Sequence, residues 1–311
     1  MLVSHRHHAP FGDVRLELDR VLTPTWIARR VRLSGVTQDE HLTKGLGRGT
    51  ASERYRLKIM LSGRLEATVG ERSFDLGPGD FLLMPRIAEC LTRGGDDETL
   101  ELDWEPGAAI ANGAVPLVEQ GRLGAATAVA VKQMTDALRA ERSVTVLPSS
   151  SREDGPCFAR TMPVALAALA AEGLPLEPRG ATLDLQAHDA DEQRLLDAID
   201  ETLMRLGEGP AAVELETRLG WSRRTVSRRT ALLHARYGLS GVGSRHWRAV
   251  RDFYRVLVGT IVASSPLVST KLLARVLGYA SPHALCHAFA NAGLPSPAAV
   301  GRAARRGGAA S

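Results

Sequence analysis

Apolar and polar side chains alternate at a period of two along parts of the first hundred residues, which is the pattern of β-strands. The alternation is clearest from Tyr55 to Leu61 and partial from Trp26 to Leu33. Turns that contain glycine, such as Ser62-Gly63, separate these runs every eight to ten residues. Short strands with turns at this spacing predict an antiparallel barrel or sandwich.

Helical periodicity replaces this alternation further along the chain. Gly124 to Arg139 and Pro163 to Leu174 are alanine-rich stretches that predict two accessory helices, either packed on the barrel or forming a dimer seam. Glu177 to Asp191 is predicted as the linker between domains. The predicted domains are residues 1–110, a barrel; residues 111–190, accessory helices and linker; and residues 191–311, a helical domain.

One helical pattern occurs twice in the last third of the chain. One helix ends at Leu219-Gly220, Trp221 packs the turn, and Ser222 caps the next helix. Leu277-Gly278-Tyr279, followed by Ser281, repeats this arrangement about sixty residues later. A short helix, a glycine turn and a capped second helix form a helix-turn-helix unit. Between the two units, Trp247–Val262 has the apolar stripe of a long amphipathic helix.

Apolar positions at helical spacing predict which side chains of the first unit face the core. Leu195 to Leu206 carries the stripe of the helix that precedes it, and Pro210 is expected at the first position of the next helix. The inward positions are expected at Val213, Leu215, Leu219, Val226, Leu232 and Leu233.

Positive charge is concentrated in this C-terminal part. The net charge is only +4, with a sequence pI near 9.2. Val213 to Arg255, however, contains ten arginines against three acidic residues, and no acidic residue follows Pro266. This asymmetry predicts a polyanion as the partner of the C-terminal part.

Polar residues on the second helix of each unit are the candidate DNA contacts, with a solvated helix face as the alternative. An arginine that reaches a guanine edge supplies roughly 1–3 kcal/mol of discrimination, whereas phosphate contacts fix only position. The candidates in the first unit are Ser222, Arg223, Arg224, Thr225, Ser227, Arg228 and Arg229. The candidates in the second unit are Ser281, His283, His287 and Asn291.

No catalytic residue, metal ion or cofactor is predicted. The three cysteines have no metal-ligand spacing and are typical of reduced thiols in the cytoplasm. His5, His7 and His8 favour a flexible N-terminal arm over a metal site. His283 and His287 lack a third ligand. No signal peptide is evident and no stretch approaches the roughly 20 apolar residues of a membrane span, so a cytoplasmic location is expected.

The segment from Leu76-Gly77-Pro78-Gly79-Asp80 through Pro85 follows two short strands and resembles the cupin-type sensor domain of many bacterial regulators. Catalytic cupins hold a metal ion with histidines on these strands, but Leu57 to Gly79 contains none. The expectation is a barrel without a metal set, either filled or enclosing a small ligand. The candidate ligand-lining residues are Trp26, Tyr55, Leu57, Ile59 and Met60.

Residues from about 195 to 303 resemble the DNA-binding domain of the AraC/XylS family of transcription regulators. In the first unit the resemblance lies in the segment from Leu219 through Arg229. Around the second unit it lies in Leu273-Ala274, Leu277-Gly278-Tyr279, Leu285, Phe289 and Ser296-Pro297. The resemblance implies seven helices, with two helix-turn-helix units that contact successive major-groove segments. This chain departs from the family pattern at Glu216, at Thr230 and in the second recognition helix, where His287, Ala290 and Asn291 replace the usual arginine and lysine. The first unit is therefore expected to dominate affinity.

Together these patterns predict an α+β protein that is a sequence-specific transcription regulator rather than an enzyme. The expected partners are double-stranded promoter DNA, a second copy of the chain in a homodimer, a small-molecule effector and, for an activator, RNA polymerase. One alternative is a cupin-type small-molecule enzyme with a fused helical domain, disfavoured by the missing metal ligands. Another is a partner-binding scaffold whose second DNA-binding unit has decayed, which predicts little sequence preference and a strong salt dependence.

Overall fold

The computed structural model describes residues 2–11, 14–34, 39–42, 55–85, 90–104, 118–144, 158–174, 176, 190–237, 247–263, 265 and 268–307. The β region consists of the strands β1 (Leu2–Phe11), β2 (Val14–Leu22), β3 (Trp26–Ser34), β4 (Asp39–Leu42), β5 (Tyr55–Ser62), β6 (Leu65–Val69), β7 (Arg72–Leu76), β8 (Asp80–Pro85), β9 (Cys90–Gly94), β10 (Glu98–Trp104) and β11 (Glu119–Arg122).

These strands form two antiparallel sheets. The seven-stranded sheet has the order β1-β2-β3-β10-β5-β8-β11, and the four-stranded sheet has the order β4-β9-β6-β7. The predicted antiparallel β architecture and the α+β class are confirmed. Strand β11 lies beyond residue 110 and pairs with β8, from Glu119 opposite Leu83 to Arg122 opposite Asp80.

The N-terminal segment differs from its prediction. The stretch that contains His5, His7 and His8 was expected to be a flexible arm, but its backbone forms β1 and pairs with β2 from Leu2 opposite Leu22 to Phe11 opposite Val14. This expectation was wrong because the backbone of β1 finds a partner in β2, a strand that the partial alternation of the sequence did not reveal.

Two helices, α1 (Ala125–Val144) and α2 (Phe158–Ala171), pack on one face of the seven-stranded sheet. Leu100 and Trp104 of β10 share a buried cluster with Met134 of α1 and Phe158 of α2. The two predicted accessory helices are therefore present. Helix α2 begins before its predicted start, so Pro163 lies inside it rather than at its first residue. The predicted linker 177–191 lies almost entirely outside the described residues.

The helical region begins at residue 190. It contains α3 (Ala190–Leu203), a 3-10 turn (Leu206–Glu208), α4 (Ala212–Leu219), α5 (Arg223–Tyr237), α6 (Trp247–Ala263), α7 (Thr270–Val276), α8 (Pro282–Asn291) and α9 (Pro297–Gly307). The predicted stripe of α3 is buried, since Leu195, Leu196 and Ile199 are at most 1% exposed. No helix in the described part of the chain combines the length and the apolar character that a membrane crossing needs.

Helix α6 is the long helix predicted between the two units, and it is buried on more sides than its apolar stripe alone indicates. From Tyr254 to Ala263, every side chain except Leu257 is buried, including Arg255 and Thr260. Helix α6 packs against α7, α8, α9 and also β4, so neighbours surround its C-terminal half. The core of the helical region continues into the β region, because Leu2, Leu22 and Ile27 belong to the same buried cluster as the helices.

Candidate nucleic-acid interface

The first helix-turn-helix unit consists of α4 and α5. Helix α4 ends at Gly220, which has a left-handed backbone with φ +68°, and Trp221 N donates to Glu216 O at 3.2 Å. Ser222 then caps α5, because its Oγ accepts a hydrogen bond from Thr225 N at 3.3 Å. The predicted glycine turn and serine cap are both confirmed.

The start of α4 differs from the prediction. The N-cap is Ala211, so Pro210 lies before the helix rather than at its first position. Glu214 reaches back to accept from Ala211 N at 2.9 Å, which sets this start. With this phase Leu215 and Leu219 are buried, while Val213 is 58% exposed and its predicted inward position was wrong.

Helix α5 buries one continuous stripe. Val226, Thr230, Leu233 and Tyr237 are each at most 2% exposed and follow one another at intervals of four, three and four residues. Leu232 was predicted to face inward but is 57% exposed. The prediction failed because the buried stripe passes through Thr230, a polar residue one turn after Val226, and leaves position 232 on the exposed side.

The structure separates the arginines of α5 into two groups. Arg223, Arg224 and Arg228 are exposed. Arg229 is only half-exposed: a guanidinium nitrogen lies 2.8 Å from Asp191 Oδ2, and the group stacks 4.5 Å from the ring centroid of Trp221. The other first-unit candidates, Ser222, Thr225 and Ser227, lie on the same N-terminal half of the helix. Arg229 therefore contacts α3 and the turn, a role that the sequence did not indicate.

The second unit consists of α7 and α8. Ser281 Oγ accepts from Ala284 N at 3.1 Å and caps α8, whose first residue is Pro282. Leu285 and Phe289 are fully buried. The candidates His283, His287 and Asn291 are exposed, and Asn291 Nδ2 lies 3.1 Å from His287 Nδ1. Helix α8 carries no arginine or lysine, so its exposed face lacks the guanidinium groups that α5 presents.

Arg255 connects the two units. This residue, counted only as a positive charge at the sequence level, is 5% exposed in the middle of α6. It donates to Gly278 O at 3.1 Å, and its guanidinium lies 5.1 Å from the ring centroid of Tyr279. The turn of the second unit is thus held to the helix between the units. Arg255 is a positioning residue, and its burial is the signal that sequence alone lacks.

The candidate ligand-lining residues lie on both faces of the seven-stranded sheet. Trp26, Leu57 and Ile59 are buried on the face that α1 and α2 cover. Trp26 stacks on Trp104 with 5.2 Å between ring centroids, and half-buried Tyr55 lies 6.3 Å from the same ring. Met60 instead belongs to the cluster shared with β6 and β7. A ligand-binding role for these residues stays a prediction.

The opposite face of the seven-stranded sheet carries a buried charge cluster of three cations and two carboxylates. Glu101 opposes both Arg29 and Lys58 in register, with ion-pair distances of 3.2 and 3.1 Å. Asp103 is fully buried between Arg29 and Arg56, and Arg56 Nε donates to it at 2.9 Å. The cluster members are Arg29, Arg56, Lys58, Glu101 and Asp103. Burial alone would raise the pKa of Glu101, but the positive charges of Arg56, Lys58 and Arg29 lower it below its ordinary value.

Asp97, beside this cluster, is 6% exposed, and its Oδ2 accepts no hydrogen bond within the described part of the chain. Burial raises its pKa to about 6, and the nearby charge of Lys58 only partly opposes this shift. The protonated Asp97 carboxyl makes its full contribution to the stability of the folded protein below about pH 3.9, which is the pKa of aspartate in the unfolded chain. This contribution is lost as the pH rises through about 6.

Asp97→Asn is therefore expected to raise the melting temperature at pH 7.5 by a few degrees and to leave it nearly unchanged at pH 4, because asparagine is neutral at both values. Thermal unfolding of both proteins across this pH range checks the expectation. An equal difference at the two pH values would contradict it.

The described residues contain no group of three or more His, Cys, Asp and Glu side chains placed to hold a metal ion. No protein-family model matches the chain, and no curated protein matches it either.

Solved structures do show similarity. The AraC-like transcriptional activator CuxR is 17% identical with a TM-score of 0.35, over 76% of this chain and 79% of that one. ToxT from Vibrio cholerae is 9% identical with a TM-score of 0.33, over 89% of this chain and 98% of that one. The Cnp3 cupin domain of Schizosaccharomyces pombe is 13% identical with a TM-score of 0.25, over 33% of this chain and 68% of that one. CuxR and ToxT thus match over most of this chain, and the cupin domain matches over about a third of it.

Proposed function

We propose that this protein is a sequence-specific transcription regulator that binds double-stranded promoter DNA through its C-terminal helices. The observation that carries the proposal is helix α5, which follows a left-handed glycine turn, begins at a serine cap and exposes Arg223, Arg224 and Arg228. Its opposite side is anchored in the core by Val226 and Leu233. An anchored helix with exposed arginines near its N-terminus suits insertion into a major groove.

The two units contribute unequally in this proposal. Arginines on α5 contact phosphates and guanine edges, which supplies both salt-dependent affinity and sequence discrimination. Helix α8 presents His283, His287 and Asn291 without a permanent positive charge. The second unit then serves mainly to dock the domain on the DNA backbone rather than to read bases. Within this unit, the exposed Lys271 and Arg275 of α7 supply phosphate contacts beside α8.

Arg228→Ala is expected to weaken binding to a preferred duplex about tenfold or more, whereas His287→Ala weakens it less than about threefold. The preferred duplex is selected by the wild-type protein from a random-sequence pool, and a scrambled duplex is measured beside it across a salt series. Arg64→Ala is the matched control, because it removes one exposed arginine far from α5 and leaves the surface charge equally changed. Equal losses for Arg228→Ala and Arg64→Ala would refute the assignment.

Modulation through the β region completes the proposal. A small-molecule effector shifts the DNA-competent population only if its affinity differs between the two states. In this proposal the homodimer forms through α1 and α2. These helices expose apolar side chains that a second copy could cover, since Val129 and Val164 are 57% and 58% exposed. RNA polymerase is a further partner if the protein activates transcription.

A further inference from the structure

The first turn of α3 contacts both the β region and the first recognition helix. On one side Val3 N donates to Gln193 Oε1 at 2.8 Å, and Gln193 Nε2 donates to Val3 O at 2.6 Å. One side-chain amide thus satisfies both backbone groups of a strand residue, as a neighbouring strand would. Because β1 is the outer strand of the seven-stranded sheet, Gln193 fixes the edge of that sheet to α3.

A second contact secures the same face of α3. Asp200 follows Gln193 by two helical turns and accepts from Arg20 of β2 at 3.3 Å. The two side chains are only 5% and 9% exposed, so this ion pair is shielded from solvent and costly to break. Helix α3 therefore follows the position of β1 and β2.

The neighbouring residues of the same turn contact helix α5. Asp191 Oδ2 lies 2.8 Å from Arg229. Glu192 accepts from Arg236 at 3.1 Å and from the hydroxyl of Tyr237 at 2.8 Å. Both acids lie in the first turn of α3, where the helix dipole favours negative charge. They hold α5 near its middle and at its C-terminal end.

We propose that Asp191 and Glu192 are positioning residues for the recognition helix α5, and that Gln193 relays the position of the edge strand β1 to them. Three consecutive residues of one helical turn move together, so a displacement of β1 displaces the acids that orient α5. Base contacts tolerate errors of only about 0.5 Å, which makes sequence discrimination the property most sensitive to this contact. The inference rests on the proposed DNA-binding function.

The first test compares Asp191→Asn with Asp136→Asn in the full-length chain. Asp136 of α1 is a matched control, because its side chain is 41% exposed against 43% for Asp191 and it also pairs with basic residues, Lys132 and Arg139. The readout is the ratio of dissociation constants for the scrambled and the selected duplex. Asp191→Asn is expected to lower this ratio about tenfold. It also steepens the salt dependence by about one phosphate contact, since Arg229 becomes free to bind DNA.

The second test compares Gln193→Ala with Gln120→Ala, a glutamine of β11 whose Nε2 donates to the backbone oxygen of Asp75 at 2.8 Å. Gln193 touches neither DNA candidate residues nor α5 in the contacts above, yet its loss is expected to lower the ratio severalfold. The salt dependence stays unchanged, because no charge is altered. If Gln193→Ala does not fold, Gln193→Glu, which loses the donor to Val3 O, takes its place with the same expected fall in the ratio.

Each outcome separates the two parts of the inference. Equal ratios for Asp191→Asn and Asp136→Asn overturn the positioning role. A lowered ratio for Asp191→Asn together with a wild-type ratio for Gln193→Ala overturns the relay. Failure of the proposed function is distinguishable from both, because the wild-type protein would then select no sequence from the random pool, and the inference would fall with it.

Discussion

Replacing Gly278 with alanine is expected to lower the free energy of unfolding of the helical region by about 3 kcal/mol or more. Gly278 has a left-handed backbone with φ +70°. A Cβ atom built there would lie 2.2 Å from Leu206 O, 2.7 Å from a terminal nitrogen of Arg255 and 3.2 Å from Gly209 N. Two of these three atoms belong to the backbone, so a side-chain rotation does not relieve the clash.

Gly220→Ala is the matched control, because Gly220 occupies the same position in the first unit with φ +68° but has nothing within 4 Å of its Cβ position. Only the left-handed strain remains there, about 1–2 kcal/mol. Urea unfolding followed by far-UV circular dichroism measures both variants. Equal losses at the two glycines would show that backbone strain, rather than the close approach, limits both turns.

The close approach at Gly278, which Gly220 lacks, is a contact between the two helix-turn-helix units. Gly278 rests on the segment from Leu206 to Gly209, which leads into α4, so the turn of the second unit packs on the entry to the first. Arg255 donates to the carbonyl of the same glycine and fixes this contact from α6. The turn of the second unit is therefore packed both against the segment that leads into the first unit and against α6.

The helical region was predictable where its signals are local. A glycine with positive φ and a serine that caps each act through neighbouring residues, and both turns lie where the sequence predicts them. Side-chain direction depends on tertiary packing and was less predictable. Val213 and Leu232 are exposed although they are apolar, while Thr230 is buried although it is polar.

The β region was predictable as a class but not in its register. A shift of one residue moves a side chain to the other face of a sheet, so the alternation alone did not show that Trp26 and Leu57 face α1 and α2. The charge cluster was missed for the same reason. Its members alternate with apolar residues along β5 and β10, as the side chains of a sheet with two covered faces do, but only the pairing of the strands brings them together with Arg29 of β3.

Asp103→Ala is expected to lower the free energy of unfolding by about 3–5 kcal/mol, because it leaves the cations of Arg29 and Arg56 beside each other in a buried site. The cluster would then hold three cations against the single carboxylate of Glu101. Asp75→Ala is the control: its partner Arg64 is 77% exposed and Asp75 itself is 55% exposed, so the loss is expected to stay below about 1 kcal/mol. Urea unfolding followed by tryptophan fluorescence reports on the β region through Trp26 and Trp104, which stack on the opposite face of the same strands.

A second substitution distinguishes charge from cavity formation as the cause of this loss. Adding Arg56→Met to Asp103→Ala removes one of the two cations that lose Asp103 as a partner and replaces it with an apolar side chain of similar length. If excess positive charge is the cause, the double variant is more stable than Asp103→Ala alone, since apolar residues often replace buried ion pairs without loss. If the cavity is the cause, the second substitution adds a further loss. Recovery in the double variant would establish that the carboxylate of Asp103 is present to neutralise the arginines.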